Sequence, residues 1–153
     1  MLENENKKFT HFKLHTQYSI CEGAIKIDDL KDYCKKNKVK SVGLSDTSNM
    51  FGALEFSENL SLIGTQPIIG TQILIKFKEI FGLLPLIAKN IEGYKNIIEL
   101  SSKSYLENDS ISEPHCSFDD ILKKNNGIIV LSGSITNLIG KLFNAGLFDD
   151  IDF

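Results

Sequence analysis

The chain has 153 residues, of which 42% are apolar, with a net charge of −3. That is enough to bury one ordinary core, and no window approaches the roughly 18 apolar residues of a membrane span. The acidic balance argues against broad attraction to nucleic acid or to an anionic membrane surface, and all 17 basic residues are lysines, so the side chain best suited to bidentate phosphate clamping is absent. The polar start MLENENKKF carries no secretory or transit signal, which points to the cytoplasm and to no membrane partner. Cys21, Cys34 and Cys116 are odd in number and lack C-x-x-C spacing, so they read as reduced thiols.

Residues 1–8 read as disordered, and a folded unit is expected over 9–153. FTHFKLHT alternates polar and apolar residues and reads as a strand, with Phe12 and Leu14 on one face and His11, Lys13 and His15 on the other. Two histidines on one face suggest metal ligands; the ammonium between them does not. Ile27, Leu30, Tyr33 and Cys34 recur at helical spacing, with Asp28 and Asp29 favouring the first turn. VKSVGLS is a short β-rich run, and SDTSN then carries the polar caps of a second helix through MFGALEFSENLSLIG, closed by Gly64. Residues 67–78 and PLIAK give further strands, followed by a long helix over about 92–106 bearing Tyr94, Ile97, Ile98 and Tyr105. SFDDILKK is a short helix capped by Ser117, GIIVLSGS a buried-looking strand, and ITNLIGKLFNAG a final helix. The lysines at 35, 36, 38 and 40, and at 123 and 124, fall where helices end and suit the dipole there. Alternating strands and helices with nearly continuous apolar strands imply an α/β fold, a parallel sheet covered by helices, doubly wound or barrel.

In such folds, sites form at the C-terminal ends of strands. Those ends place His15 and Ser19, then Ser45, Asp46 and Thr47, then Gln72, and later Ser132 and Ser134 on one rim. Among these and their neighbours only His15, Asp46 and Glu22 have the donor chemistry of a metal ligand. His115 and Cys116 are adjacent in a loop and read as a surface pair. GSITN lacks the spacing of a phosphate loop and reads as turn plus cap. Ser19 and His15 have no third partner for nucleophilic catalysis.

FTHFKLHTQYSICEGAIKIDDL, VGLSDTSNMFGALEF, QPIIG, IAKNIEGYKNIIEL and IIVLSG, in that order, resemble the PHP (polymerase and histidinol phosphatase) domain found at the N-terminus of bacterial DNA polymerase III alpha subunits. The resemblance runs from about residue 9 to residue 146. It implies part of a distorted (β/α)7 barrel with parallel strands and surrounding helices. It also implies a fragment, since the family's last Asp-x-His motif and the polymerase carboxylates would lie beyond Phe153.

The resemblance assigns positions as well. The family's H-x-H pair falls on Lys13 and His15, and an acid a few residues later on Glu22. The T-D-H motif becomes Ser45, Asp46 and Thr47; the acid after P-I-I-G becomes Gln72, and a further histidine becomes Leu83. The metal site therefore reads as degenerate: no catalytic residue and no metal is expected, with His15, Glu22 and Asp46 the residues to hold one if any do. Lys13 is expected to replace a cation and to pair with Glu22 or Asp46. The resemblance implies a non-catalytic scaffold within a DNA-directed DNA polymerase, docking a separate proofreading exonuclease subunit and the polymerase's remaining domains. DNA and Mg²⁺ would be engaged through the parent enzyme. The competing expectations are a Zn²⁺- or Mn²⁺-dependent 3′–5′ exonuclease or phosphoesterase, and a stand-alone α/β binding protein.

Overall fold

A computed structural model describes residues 9–108 and 111–150; the segment 1–8, expected to be disordered, lies outside the described residues. The elements in chain order are α1 (Ile27–Asn37), β1 (Ser41–Gly43), β2 (Asp46–Thr47), α2 (Ala53–Leu62), β3 (Gln66–Ile68), β4 (Gly70–Phe77), β5 (Ile80–Ala88), α3 (Ile91–Leu106), β6 (Cys116–Ser117), α4 (Phe118–Lys123), β7 (Ile128–Val130) and α5 (Leu138–Asn144), with a 3-10 turn at Phe148–Asp150. The α/β class expected from the sequence holds.

The segment 9–16 is not a full strand. It makes two isolated parallel bridges, Leu14 to Leu44 between β1 and β2, and Thr16 to Ile25 just before α1. Next to it β1 pairs in parallel with β3, and β2 with β4, in one continuous register from Ser41 opposite Gln66 to Thr47 opposite Gln72. The strands inferred over 67–78 and 85–89 are two arms of an antiparallel hairpin, with β4 and β5 pairing from Gly70–Ile87 to Phe77–Ile80 around a two-residue turn at Lys78 and Glu79. The turn lacks the Asn-Gly or Asp-Gly signal that advertises such hairpins, and Lys78 adopts φ 52° without being glycine. Outside the hairpin, β7 runs antiparallel to β5 and β6 parallel to β4. The strand read as buried, β7, is an edge strand: Ile129 and Val130 are each more than 40% exposed.

The helices follow their apolar spacing with local shifts. Ile27, Leu30 and Cys34 of α1 are buried while Tyr33 points outward, because positions 27, 30 and 34 share a face that 33 leaves. In α3 the buried positions are Gly93, Ile97, Leu100 and Ser104, and Ile98 and Tyr105 turn to the surface. Asn90 caps α3 by accepting from the Gly93 N–H at 2.9 Å. Ser117 and Asp120 form a reciprocal capping box at the start of α4. The expected polar caps of α2 do not form; Gly52 stands at its N-cap without a side-chain bond. At its other end Gly64 has φ 76°, as a helix stop requires.

Two apolar clusters fill the interior. One joins α1, α2 and β1 through residues such as Ile27, Leu44, Phe56 and Leu60. The other joins the hairpin to α3, α4 and α5 through Ile73, Ile75, Leu84, Leu86, Ile97 and Leu138. Met50 packs against both. The rim residues sit where these two halves meet, at the ends of β2 and of the first segment.

Candidate functional site at the ends of the central strands

The parallel register decides which rim residues share a face. Leu14 lies opposite Leu44, so His15 lies beside Ser45; Thr47 lies opposite Gln72. Because side chains alternate, His15, Ser45, Thr47 and Gln72 point to one side and Thr16, Asp46 and Thr71 to the other. Leu83, opposite Leu74, continues the first face one step beyond Gln72.

On the first face, Gln72 Nε2 donates to Thr47 Oγ1 at 2.7 Å, and the Thr47 hydroxyl donates to Glu22 Oε2. Glu22 is brought there by the turn over residues 17–22, in which Cys21 takes φ 66°. Three buried polar atoms beside this chain have no protein partner: His15 Nδ1, Ser45 Oγ and Gln72 Oε1. An open cleft of about 360 Å³, lined by His11, Lys13, His15, Glu22 and Ile25 among others, reaches the His15 and Glu22 end of this face from solvent. Leu83 contributes no side-chain donor; its backbone carbonyl accepts from Asn137 Nδ2 at 3.1 Å.

On the second face, Asp46 is fully buried and accepts three hydrogen bonds: from the Thr16 N–H at 2.6 Å, the Thr16 hydroxyl at 2.7 Å and the Ser19 hydroxyl at 2.6 Å. The same Ser19 oxygen accepts from the Thr47 N–H at 3.1 Å, and the Thr71 hydroxyl donates to the Asp46 carbonyl at 2.6 Å. Asp46 is thus a structural clasp between the first segment and β2. Its lone pairs are already engaged by near neighbours, which removes it from the ligand set expected with His15 and Glu22. Thr16, the principal donor, carried no sequence signal, since half of its contribution is a backbone N–H.

The expectation that Lys13 replaces a cation and pairs with Glu22 or Asp46 is corrected. Lys13 is exposed on the cleft wall and makes no ion pair among the described residues, because Asp46 points away and Glu22 receives Thr47. His11 is likewise exposed, its ring edge against Phe9. Of the remaining candidates, Ser132 is exposed, and Ser134 belongs to the turn: its N–H and hydroxyl both donate to the Oδ1 of Asn137, which stands at the N-cap position of α5 without a side-chain bond to that helix. His115 contacts the Glu113 carbonyl and Phe81, whereas Cys116 is buried, its thiol donating to the Leu100 carbonyl and pushed up to about 11 by burial. Those two side chains serve different surroundings and form no ligand pair.

The donor set on the first face does not suit a divalent cation. It offers one imidazole, one carboxylate already accepting a hydroxyl proton, neutral amide and hydroxyl oxygens, and an ammonium at the mouth. Among the described residues no group of three or more His, Cys, Asp or Glu side chains could hold a metal.

A second charged cluster lies away from the rim. Lys103 bridges Asp120 at 2.8 Å and Glu107 at 3.0 Å. Burial by itself would raise the Asp120 carboxyl, but hydrogen bonds from Lys103 and Ser117 outweigh it and hold the group below its ordinary value. This cluster ties α3 to α4.

A mixed sheet with polar residues gathered at the ends of its parallel strands, and a cleft lined by His15 and Glu22 opening there, defines an α/β protein with a strand-end site. Residues 11–152 match the PHP domain family, and the chain belongs to it. It is 36% identical over 159 residues to the DNA polymerase III subunit alpha of Caulobacter vibrioides, covering 95% of this chain and 14% of that protein. To the same subunit of Helicobacter pylori it is 45% identical over 112 residues, covering 67% of this chain and 9% of the relative. The chain therefore spans about a seventh or less of the curated relatives it matches. Among solved structures it is similar to an amidohydrolase from Chromobacterium violaceum, with a TM-score of 0.48 and 11% identity, covering 61% of this chain and 34% of the other. A metal-dependent phosphoesterase structure from Bifidobacterium adolescentis gives a TM-score of 0.46 at 16% identity, covering 76% and 43%. Among the described residues no helix is long and apolar enough to cross a membrane.

Proposed function

We propose that this chain is the PHP-domain portion of a cytoplasmic DNA polymerase III alpha subunit, folded from about residue 9, and that it acts as a non-catalytic scaffold. In this reading it supports the polymerase's remaining domains and offers a docking surface to the proofreading exonuclease subunit. DNA and Mg²⁺ are handled by those other domains. The observation that supports the reading is the side-chain chain from Gln72 through Thr47 to Glu22, in which an amide and a hydroxyl engage the one carboxylate at the positions the family resemblance assigns to metal ligands. A metal-activated hydroxide needs a bound cation with several charged or imidazole donors to lower the pKa of its water, and these residues do not provide them.

The test is to incubate the purified chain with Mn²⁺ or Zn²⁺, single-stranded DNA and small phosphoesters. No release of nucleotide or phosphate is expected. Metal-dependent release that disappears in His15→Ala would overturn the scaffold reading in favour of the 3′–5′ exonuclease or phosphoesterase.

A further inference from the structure

We infer that the metal position of this fold has become a site for one buried water, closed by a hydrogen-bond relay from Gln72 through Thr47 to the Glu22 carboxylate that pins the turn over residues 17–22 to the sheet. The inference rests on the non-catalytic reading above and adds to it what fills the position.

The relay has one consistent set of protons. The Thr47 hydroxyl has a single proton, and the Glu22 carboxylate is acceptor-only, so that proton goes to Glu22. Thr47 Oγ1 must then accept from Gln72, which turns Nε2 toward Thr47 and Oε1 away from it. The flipped amide would set two acceptors against one hydroxyl proton, so the orientation follows from the network and not from an arbitrary choice. Gln72 Oε1 is left buried with no protein donor, on a residue only 2% exposed.

Two neighbours share that deficit on the same face. Ser45 is 1% exposed with an unpartnered hydroxyl, and the adjacent His15 presents a buried, unpartnered Nδ1. Buried polar groups are almost always paired with protein or with ordered water. Three unpaired atoms on one face, with His15 among them also lining a cleft open to solvent, mark a polar guest.

Their chemistry selects the guest. An amide oxygen only accepts, a hydroxyl does either, and an imidazole nitrogen donates or accepts with its tautomer. Water, with two protons and two lone pairs, can serve all three. An anion would face Gln72 Oε1 and the Glu22 carboxylate. A divalent cation would find one carboxylate, already engaged, and the Lys13 ammonium at the entrance.

High-resolution diffraction from the full chain, with anomalous data from Mn²⁺-soaked crystals, tests this. The expected result is an ordered water within about 3.2 Å of at least two of the three atoms and no manganese peak. Side chains rotated into protein hydrogen bonds, with no solvent density, would overturn the inference and leave the scaffold reading intact. A manganese peak on His15 and Gln72 would overturn both. In solution, Thr47→Val should lower the melting temperature by about 2–4 °C, and Thr47→Ser should keep it within the error of the wild type. Equal melting of the valine variant would show that no relay pins the turn.

Discussion

At the residue scale, two charged side chains of the rim have exchanged the roles their sequence positions suggest. Lys13, at a position the family resemblance assigns to a ligand, faces solvent, while Asp46, in the stretch that the resemblance aligns with the T-D-H motif, is buried with three short hydrogen bonds. Asp46→Asn replaces an acceptor-only group with one that turns an NH2 toward the Thr16 or Ser19 donors, and should destabilise the fold by about 2–4 kcal/mol, because buried donors to a charged acceptor lose their partner. Lys13→Met should stay within about 0.5 kcal/mol of wild type, as expected for a surface change. Urea midpoints at constant slope measure both. A large loss for Lys13→Met would mean that the ammonium has a buried partner. Asp120 adds a pH dependence of known sign. Its carboxyl is held below its ordinary value in the fold, so it contributes stability above its unfolded pKa that is lost as pH falls through the folded one. Acidification should lower the urea midpoint of the wild type more than that of Asp120→Asn, and parallel curves would remove Asp120 from the acid response.

At the scale of elements, the start of α3 shows packing overriding propensity. Gly93 lies against the Gly127 backbone so closely that a Cβ would overlap the Gly127 carbonyl, while Asn90 caps the same turn and the Lys89 N–H donates to that carbonyl at 2.8 Å. Alanine is better than glycine in a helix by about 1 kcal/mol, but here the clash is with backbone that cannot rotate aside. Gly93→Ala should therefore lower the melting temperature; a gain in stability would mean that the Gly127 loop yields. Helices were legible in the sequence because spacing and caps act locally: Ser117 before FDDILK, and Ile27, Leu30 and Cys34, announce α4 and α1 directly. The β4–β5 hairpin was not, because its turn uses Lys78 and Glu79, and each arm reads as an independent apolar strand. The FTHFKLHT segment failed differently. Its alternation is genuine, but pairing with a neighbour is a tertiary fact, and only isolated bridges form.

For the whole molecule, which residues gather at the rim could be read from the ends of the strands, whereas what they do to one another could not. Ser45, Thr47 and Gln72 gather as their positions suggested, but the division into two faces depends on the register between β2 and β4. That register sends Asp46 to a structural clasp and leaves Thr47 and Gln72 to the relay with Glu22. Family membership carries the expectation of a metal centre, and the proposal that this chain is a scaffold rests on side chains whose donor chemistry does not suit one. Metal content of the purified, untagged chain after equilibration with Zn²⁺ and Mn²⁺, measured by mass spectrometry, tests this most directly. The scaffold reading predicts ions far below stoichiometry and unchanged by His15→Ala; one tightly held ion per chain, lost on that substitution, would contradict it.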